Sequence, residues 1–195
     1  MKLTTENTLY YGDNLNILRH KIPNESIDLI YLDPPFNSKA DYNVLFREAT
    51  GEKSHAQIQA FSDFWKWDAE ARHAYEELTS GNPPNLQVAN LTKALFNFLG
   101  RNDMMAYLVM MGVRLNELHR VLKPTGSLFL HCDSTASHYL KLMLDALFGG
   151  GISETKSSGR GSTSMLTRGG SEKSPTEYSS IQRMTITSLT DSGRR

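Results

Sequence analysis

Cysteine is almost missing: Cys132 is the single one in 195 residues. That excludes a disulfide framework and a multi-cysteine metal site, and it fits a reducing cytoplasm. Long apolar runs are missing too. No stretch approaches the about 20 consecutive apolar residues of a membrane span, and Met1-Lys2-Leu3-Thr4-Thr5-Glu6 leads into nothing like a signal peptide. Charge of one sign is also lacking, with 21 basic and 21 acidic side chains and a formal net charge of zero. Nucleic-acid binders that act alone usually carry a basic excess. Here the first 150 residues hold 14 basic and 17 acidic groups and the remainder 7 and 4, so contacts to a phosphate backbone must come largely from elsewhere. Apolar content is 39%, a little low for a soluble domain. The length suits one domain with a sizeable core.

The informative stretch is Ile27-Asp28-Leu29-Ile30-Tyr31-Leu32-Asp33-Pro34-Pro35-Phe36. Five of its first six residues are apolar or aromatic, the pattern of a strand buried on both faces. Two prolines then stop it, since neither can donate to a ladder. Asp33 thus sits where a buried strand runs out, followed by a rigid corner and an aromatic ring. Ligands of open α/β sheets bind beyond the carboxyl ends of the strands. A carboxylate there accepts hydrogen bonds from an amino group, and Phe36 can stack on a planar base. These are the parts needed to hold an exocyclic amine of a nucleobase.

Thr8 to Tyr11 reads as a short strand broken by Gly12. Asp13 is an N-cap for a helix over Leu15 to Arg19, and Lys21 to Ser26 is a polar turn. Asn37 to about His55 has no sustained period and reads as a long loop. Asn37, Tyr42 and Phe46 within it are candidates to close over a ligand. A helix opens at Phe61-Ser62-Asp63-Phe64-Trp65-Lys66-Trp67-Asp68 and runs to about Leu78, its tryptophans read as core. Another covers Leu86 to Leu99. The clearest helix is Asp103 to Leu122, with a wide apolar stripe and with Pro124 and Gly126 marking its end. Ser127 to His131 is the next buried strand, and Cys132-Asp133 falls at its carboxyl end on the same side of the sheet as Asp33. Ser134 caps a last helix that packs Tyr139, Leu140, Met143, Leu144 and Leu147 inward. His131, Cys132 and Asp133 are adjacent on a strand, so they point to alternate faces and make no zinc site. No metal site is assigned.

Three stretches in this order, Leu9-Tyr10-Tyr11-Gly12-Asp13-Asn14-Leu15, the Asp33-Pro34-Pro35-Phe36 corner and Val121-Leu122-Lys123-Pro124-Thr125-Gly126-Ser127-Leu128-Phe129-Leu130-His131-Cys132-Asp133, resemble the S-adenosylmethionine-dependent amino-methyltransferases of DNA. The likeness covers roughly residues 8 to 148. It is to the permuted branch in which the catalytic half precedes the cofactor loop. The resemblance implies an α/β, Rossmann-like doubly wound sheet, here a partial one. It implies S-adenosyl-L-methionine as cofactor, DNA as substrate, no membrane, and a cognate restriction subunit as a possible partner in a restriction-modification system of the cytoplasm. Asp33, Pro34, Pro35 and Phe36 take the catalytic role, and Asp13 and Asp33 contact the cofactor. Asp at the first motif position inclines the family toward N(6) of adenine over the amine of cytosine. An RNA or protein methyltransferase could use a similar corner, and an inactive fragment or interaction module could retain it.

The glycine-rich turn that normally cradles the cofactor is not evident. Gly149-Gly150-Gly151 follows a helix and Gly159-Arg160-Gly161 follows no apolar run. Residues 1–149 therefore read as the catalytic half of a DNA methylase domain, and residues 150–195 as a low-complexity tail, disordered or out of frame. From residue 151 onward, Ser, Thr and Gly make up 24 of 45 residues against 24 of the first 150, so no buried strand is expected there. Joining the third base of each codon to the first two of the next, from Gly151 onward, permits Asn-Phe-Arg-Asn-Glu-Ile-Val-Trp-Lys-Arg. That is similar to the strand the family places after its Leu-Phe-Gly. Further on, Glu177-Tyr178 gives Ile or Val, Tyr178-Ser179 allows Phe or Leu, and Met184-Thr185 forces Asp. The tail is thus read as a frame-shifted segment and the chain alone as weak or inactive. Nucleotide sequencing checks this: the shifted frame is expected to stay open and to encode family-like sequence, and stop codons or nonsense in that frame refute it.

Overall fold

The computed structural model describes residues 8–10, 12–34, 41–44, 58–62, 65–156, 163–168 and 183–187. Its elements, in chain order, are α1 (Asn14–Lys21), β1 (Ile27–Asp33), β2 (Asp41–Val44), β3 (Ile58–Ser62), α2 (Ala69–Thr79), α3 (Leu86–Leu99), α4 (Asp103–Val121), β4 (Leu122–Asp133), α5 (Ser134–Phe148), β5 (Ser153–Lys156), β6 (Thr163–Arg168) and β7 (Arg183–Thr187). Five strands form one mixed sheet in the order β5-β6-β4-β1-β7. β1 runs parallel to β4 and to β7, while β6 is antiparallel to β4 and to β5. β2 and β3 make a separate antiparallel pair. The expected parallel neighbours β1 and β4 are present, with Leu29 to Leu32 opposite Ser127 to Leu130.

The core is built around α4. Twelve of its 19 residues are buried, on nearly every side, which is how a helix enclosed by others reads. It packs against α1, α2, α3, α5 and β4. Met105, Tyr107, Leu108, Leu115 and Leu118 in α4 share one apolar cluster with Ile30 and Leu32 of β1 and with Leu128, Leu130 and Cys132 of β4. Trp65 and Trp67 pack against this cluster as expected: Trp65 meets Tyr107 edge-on, and Trp67 lies against Tyr75 and Phe96.

Several boundaries move for identifiable reasons. β1 is buried on one face only: Ile30 and Leu32 are enclosed, Leu29 is half-buried, and Tyr31 and Asp33 are exposed. Thr8 to Tyr10 is not a strand, and Leu9 is almost wholly exposed; β-propensity makes no strand without a partner edge. The helix expected from Phe61 starts only at Ala69, where the Asp68 carboxylate accepts from the Ala71 amide, and Phe61 and Ser62 belong to β3. The expected loop contains β2, because pairing with β3 is non-local and leaves little trace in either segment alone. Tyr42 lies in that strand, while Asn37 and Phe46 fall outside the described residues.

Pro124 and Gly126 do not end α4; they lie inside β4, which follows α4 without a gap. The β1–β4 register skips at this point, from Ile27 opposite Leu122 to Leu29 opposite Ser127. A proline at such an irregularity costs no ladder hydrogen bond. α5 is capped by Asp133, which accepts from the Ala136 amide at 2.9 Å, where Ser134 was expected. Beyond residue 150, where no buried strand was expected, β5, β6 and β7 pair with the sheet or with one another. Strand pairing uses backbone groups, and a free sheet edge templates any extended segment. Threonine-rich segments such as Thr163–Arg168 suit that conformation.

α4 approaches α2 at a glycine. A Cβ built on Gly112 would lie 2.8 Å from Leu78 Cδ1. Gly112→Val is expected to destabilise the chain by about 2 kcal/mol through overpacking, a fall of about 4–8 °C in Tm by thermal unfolding.

Candidate active site

β1 and β4 run parallel, so both deliver their last residues to the same edge of the sheet. Leu32 lies opposite Leu130. Asp33 and His131, the next residue on each strand, therefore stand side by side, with His131 Nδ1 3.2 Å from Asp33 Oδ1. The Asp33 side chain is 48% exposed and that of His131 29%. A carboxylate in this position is both open to a ligand and held from one side. Pro34 follows it and is buried, which fixes the direction in which the chain leaves the strand. Pro35 and Phe36 lie outside the described residues.

Asp133 ends β4 at this same edge, as expected, and its carboxylate caps α5. Three adjacent residues thus do three different jobs: His131 meets Asp33, Cys132 is buried in the core, and Asp133 holds a helix start. Among the described residues there is no group of three or more His, Cys, Asp or Glu able to hold a metal ion.

Asp13 is the N-cap of α1, as its position predicts, and accepts from the Leu15 amide at 3.0 Å. Its Oδ1 also accepts from Arg114 Nη2 at 3.0 Å, while Arg114 Nε donates to Asn14 Oδ1 at 2.9 Å and Nη1 to the Met110 carbonyl. Arg114 is buried in α4. Burial pushes its pKa below the usual arginine value, and the adjacent Asp13 carboxylate opposes that shift. Asp13 and Asp33 are therefore engaged by different partners, and no hydrogen bond or ion pair joins the two among the described residues.

Sequence reasoning missed His131 and Arg114. The signal for His131 was its register: Leu32 and Leu130 are equivalent positions on parallel strands, which puts the following residues together. The signal for Arg114 was a charge between Val113 and Leu115 in an apolar stripe, since a buried charge needs partners.

Residues 27–157, which span both strands of this edge, match the N6/N4 DNA methylase family. The chain belongs to that family. Among curated proteins, it is 29% identical over 149 residues to the Type III restriction-modification enzyme StyLTI Mod subunit of Salmonella typhimurium. It is 27% identical over 149 residues to the Type III restriction-modification enzyme EcoPI Mod subunit of Escherichia phage P1. Each match covers 75% of this chain but only 19% and 20% of the respective relative, so the chain spans about a fifth of their length.

Removing the Arg114 guanidinium strips Asp13 and Asn14 of a charge-assisted partner. Arg114→Met is expected to cost about 2 kcal/mol, softened by solvent at the one-third exposed Asp13. Chemical denaturation checks this, and Asp13→Asn, which retains the cap, should cost less.

Proposed function

We propose that this chain is the catalytic half of a restriction-modification DNA methyltransferase, and that its Asp33 edge holds the exocyclic amine of adenine, or alternatively of cytosine. The observation that carries the reading is the half-exposed Asp33 carboxylate at the carboxyl end of β1, braced by His131 and followed by a buried proline. The amine nitrogen's lone pair is delocalised into the base ring, which makes it a poor nucleophile. One hydrogen bond to Asp33 and one to the Pro34 carbonyl favour a pyramidal nitrogen with its lone pair freed. Pro35 keeps the corner stiff and Phe36 stacks on the base. The base must leave the duplex to reach this edge. Asp at position 33 inclines the choice to adenine.

S-adenosyl-L-methionine is the methyl donor that this family reading implies, with Asp13 and Asp33 on the side facing the cofactor. The described residues do not fit the whole group. No glycine-rich turn among them joins a strand to a helix. Gly149, Gly150 and Gly151 all have positive φ, and the Gly149 and Gly150 amides both donate to the Asp145 carbonyl, closing the end of α5. Asp13 already serves Arg114 and its own helix. The chain's own contribution is therefore to hold and orient the amine.

We read the sheet as part of a Rossmann-like doubly wound fold, residues 1–149 as the catalytic half, and residues 150–195 as a frame-shifted tail whose strands stand at edges that other strands fill in the complete enzyme. Such an enzyme works on DNA in the cytoplasm, alongside a restriction subunit. Among the described residues no helix is long and apolar enough to cross a membrane.

The chain alone is expected to transfer little or no methyl group. Misplacing an unfixed donor by about 1 Å is enough to cost about a hundredfold, and the slightly acidic first 150 residues gain little from counterion release. A tritiated-methyl assay on adenine-rich duplex DNA measures this. Restoring the frame and the downstream half should recover transfer, and Asp33→Ala in the restored protein should remove at least about a hundredfold of it. Robust turnover by the 195-residue chain, or full activity of the restored Asp33→Ala protein, overturns the reading.

A further inference from the structure

A half-exposed aspartate turns readily about its last side-chain torsion, which is broad and roughly two-fold. An acceptor that must meet one N–H of an amine needs that plane fixed. Among the described residues, the neighbour able to fix it is His131, whose Nδ1 is 3.2 Å from Asp33 Oδ1. An ionised carboxylate has lone pairs and no hydrogen to give, so the hydrogen between the two atoms belongs to Nδ1. The strand beneath the imidazole is held firmly. β4 is paired on both sides, with Leu130 opposite Leu32 of β1 and His131 opposite Met165 of β6. Cys132, next along, is fully buried, so the strand cannot roll without pulling a core residue into water. Groups carried on strands in this way hold tighter geometry than groups carried on loops.

We propose that His131 is a positioning residue for Asp33: its Nδ1–H anchors Oδ1 and thereby turns Oδ2 toward an incoming exocyclic amine. This rests on the reading of Asp33 as the amine acceptor. His131 itself touches no base; it acts through the carboxylate. The arrangement needs a donor at the Nδ1 position and no proton transfer. Asparagine reproduces that donor with its side-chain amide, whereas phenylalanine keeps the ring volume and removes the donor.

The experiment uses the full 195-residue chain labelled with 15N in histidine and 13C in aspartate. Long-range 1H–15N correlation reads which imidazole nitrogen carries hydrogen. The His131 ring is expected as the Nδ1–H form in the unsubstituted chain, reverting to the Nε2–H form in Asp33→Ala. Deoxyadenosine is then titrated while the Asp33 Cγ signal is followed. His131→Asn should respond like the unsubstituted chain, and His131→Phe should bind about tenfold more weakly, the scale of one charge-assisted hydrogen bond. An Nε2–H ring in the unsubstituted chain, a ring form indifferent to Asp33→Ala, or equal deoxyadenosine binding by His131→Phe overturns the proposal. An Nδ1–H ring with no response of Asp33 to deoxyadenosine in any form supports the anchoring and removes the amine-holding function. The ring form in the unsubstituted chain decides the matter even if His131→Phe fails to fold.

Discussion

The parallel pairing of β1 with β4 is the contact on which the remaining structure depends. It sets the register that makes Leu32 and Leu130 neighbours and so places Asp33 beside His131. At its other end the same pair is fastened by Lys123, whose Nζ lies 2.8 Å from both carboxylate oxygens of Asp28. β4 is in turn the direct continuation of α4, so the helix at the centre of the core fixes where the strand begins. Arg120 near the end of α4 donates to the carbonyls of Leu18 and Ile22, and the Ser26 amide donates to the Val121 carbonyl. These bonds tie α1 and the turn before β1 to the last turn of α4, where β4 begins. A shift at the candidate site would therefore have to move α1 and α4 together.

Where a segment's own pattern dictates its partner, the sequence was readable. The apolar run 27–32 and the stripe along α4 are local statements, and each became a strand or helix where expected, although β1 is buried on one face only. The end of that strand at Asp33, just before Pro34, was readable because proline chemistry is local as well. What escaped depends on residues far apart in the chain. β2 and β3 owe their existence to each other. Arg114 reaches Asp13 and Asn14 across about a hundred positions, and His131 acquires its significance only once the register with β1 is known. Small errors at element ends have another origin: Asp133 and Ser134 are both good caps, and the choice between them is made by where β4 stops.

Arg114 shows how one buried charge holds two elements together. A guanidinium taken from water needs its hydrogen bonds filled, and Asp13, Asn14 and the Met110 carbonyl fill them. Asp13 consequently serves the start of α1 and the middle of α4 at the same time. A cofactor contact there would share a carboxylate that is already holding two elements together, which makes the position resistant to change even before any ligand is considered.

The 98 residues that separate Asp33 from His131 have a consequence during synthesis. At about 5–20 residues per second, β1 leaves the ribosome about 5–20 s before β4 exists. Through that interval Ile30 and Leu32 have no neighbouring strand from β4, while the intervening helices are free to form from local contacts within microseconds. The nascent chain thus carries an apolar strand with an unsatisfied backbone edge for as long as it takes to add those 98 residues, and that edge is where a holding chaperone would find its grip.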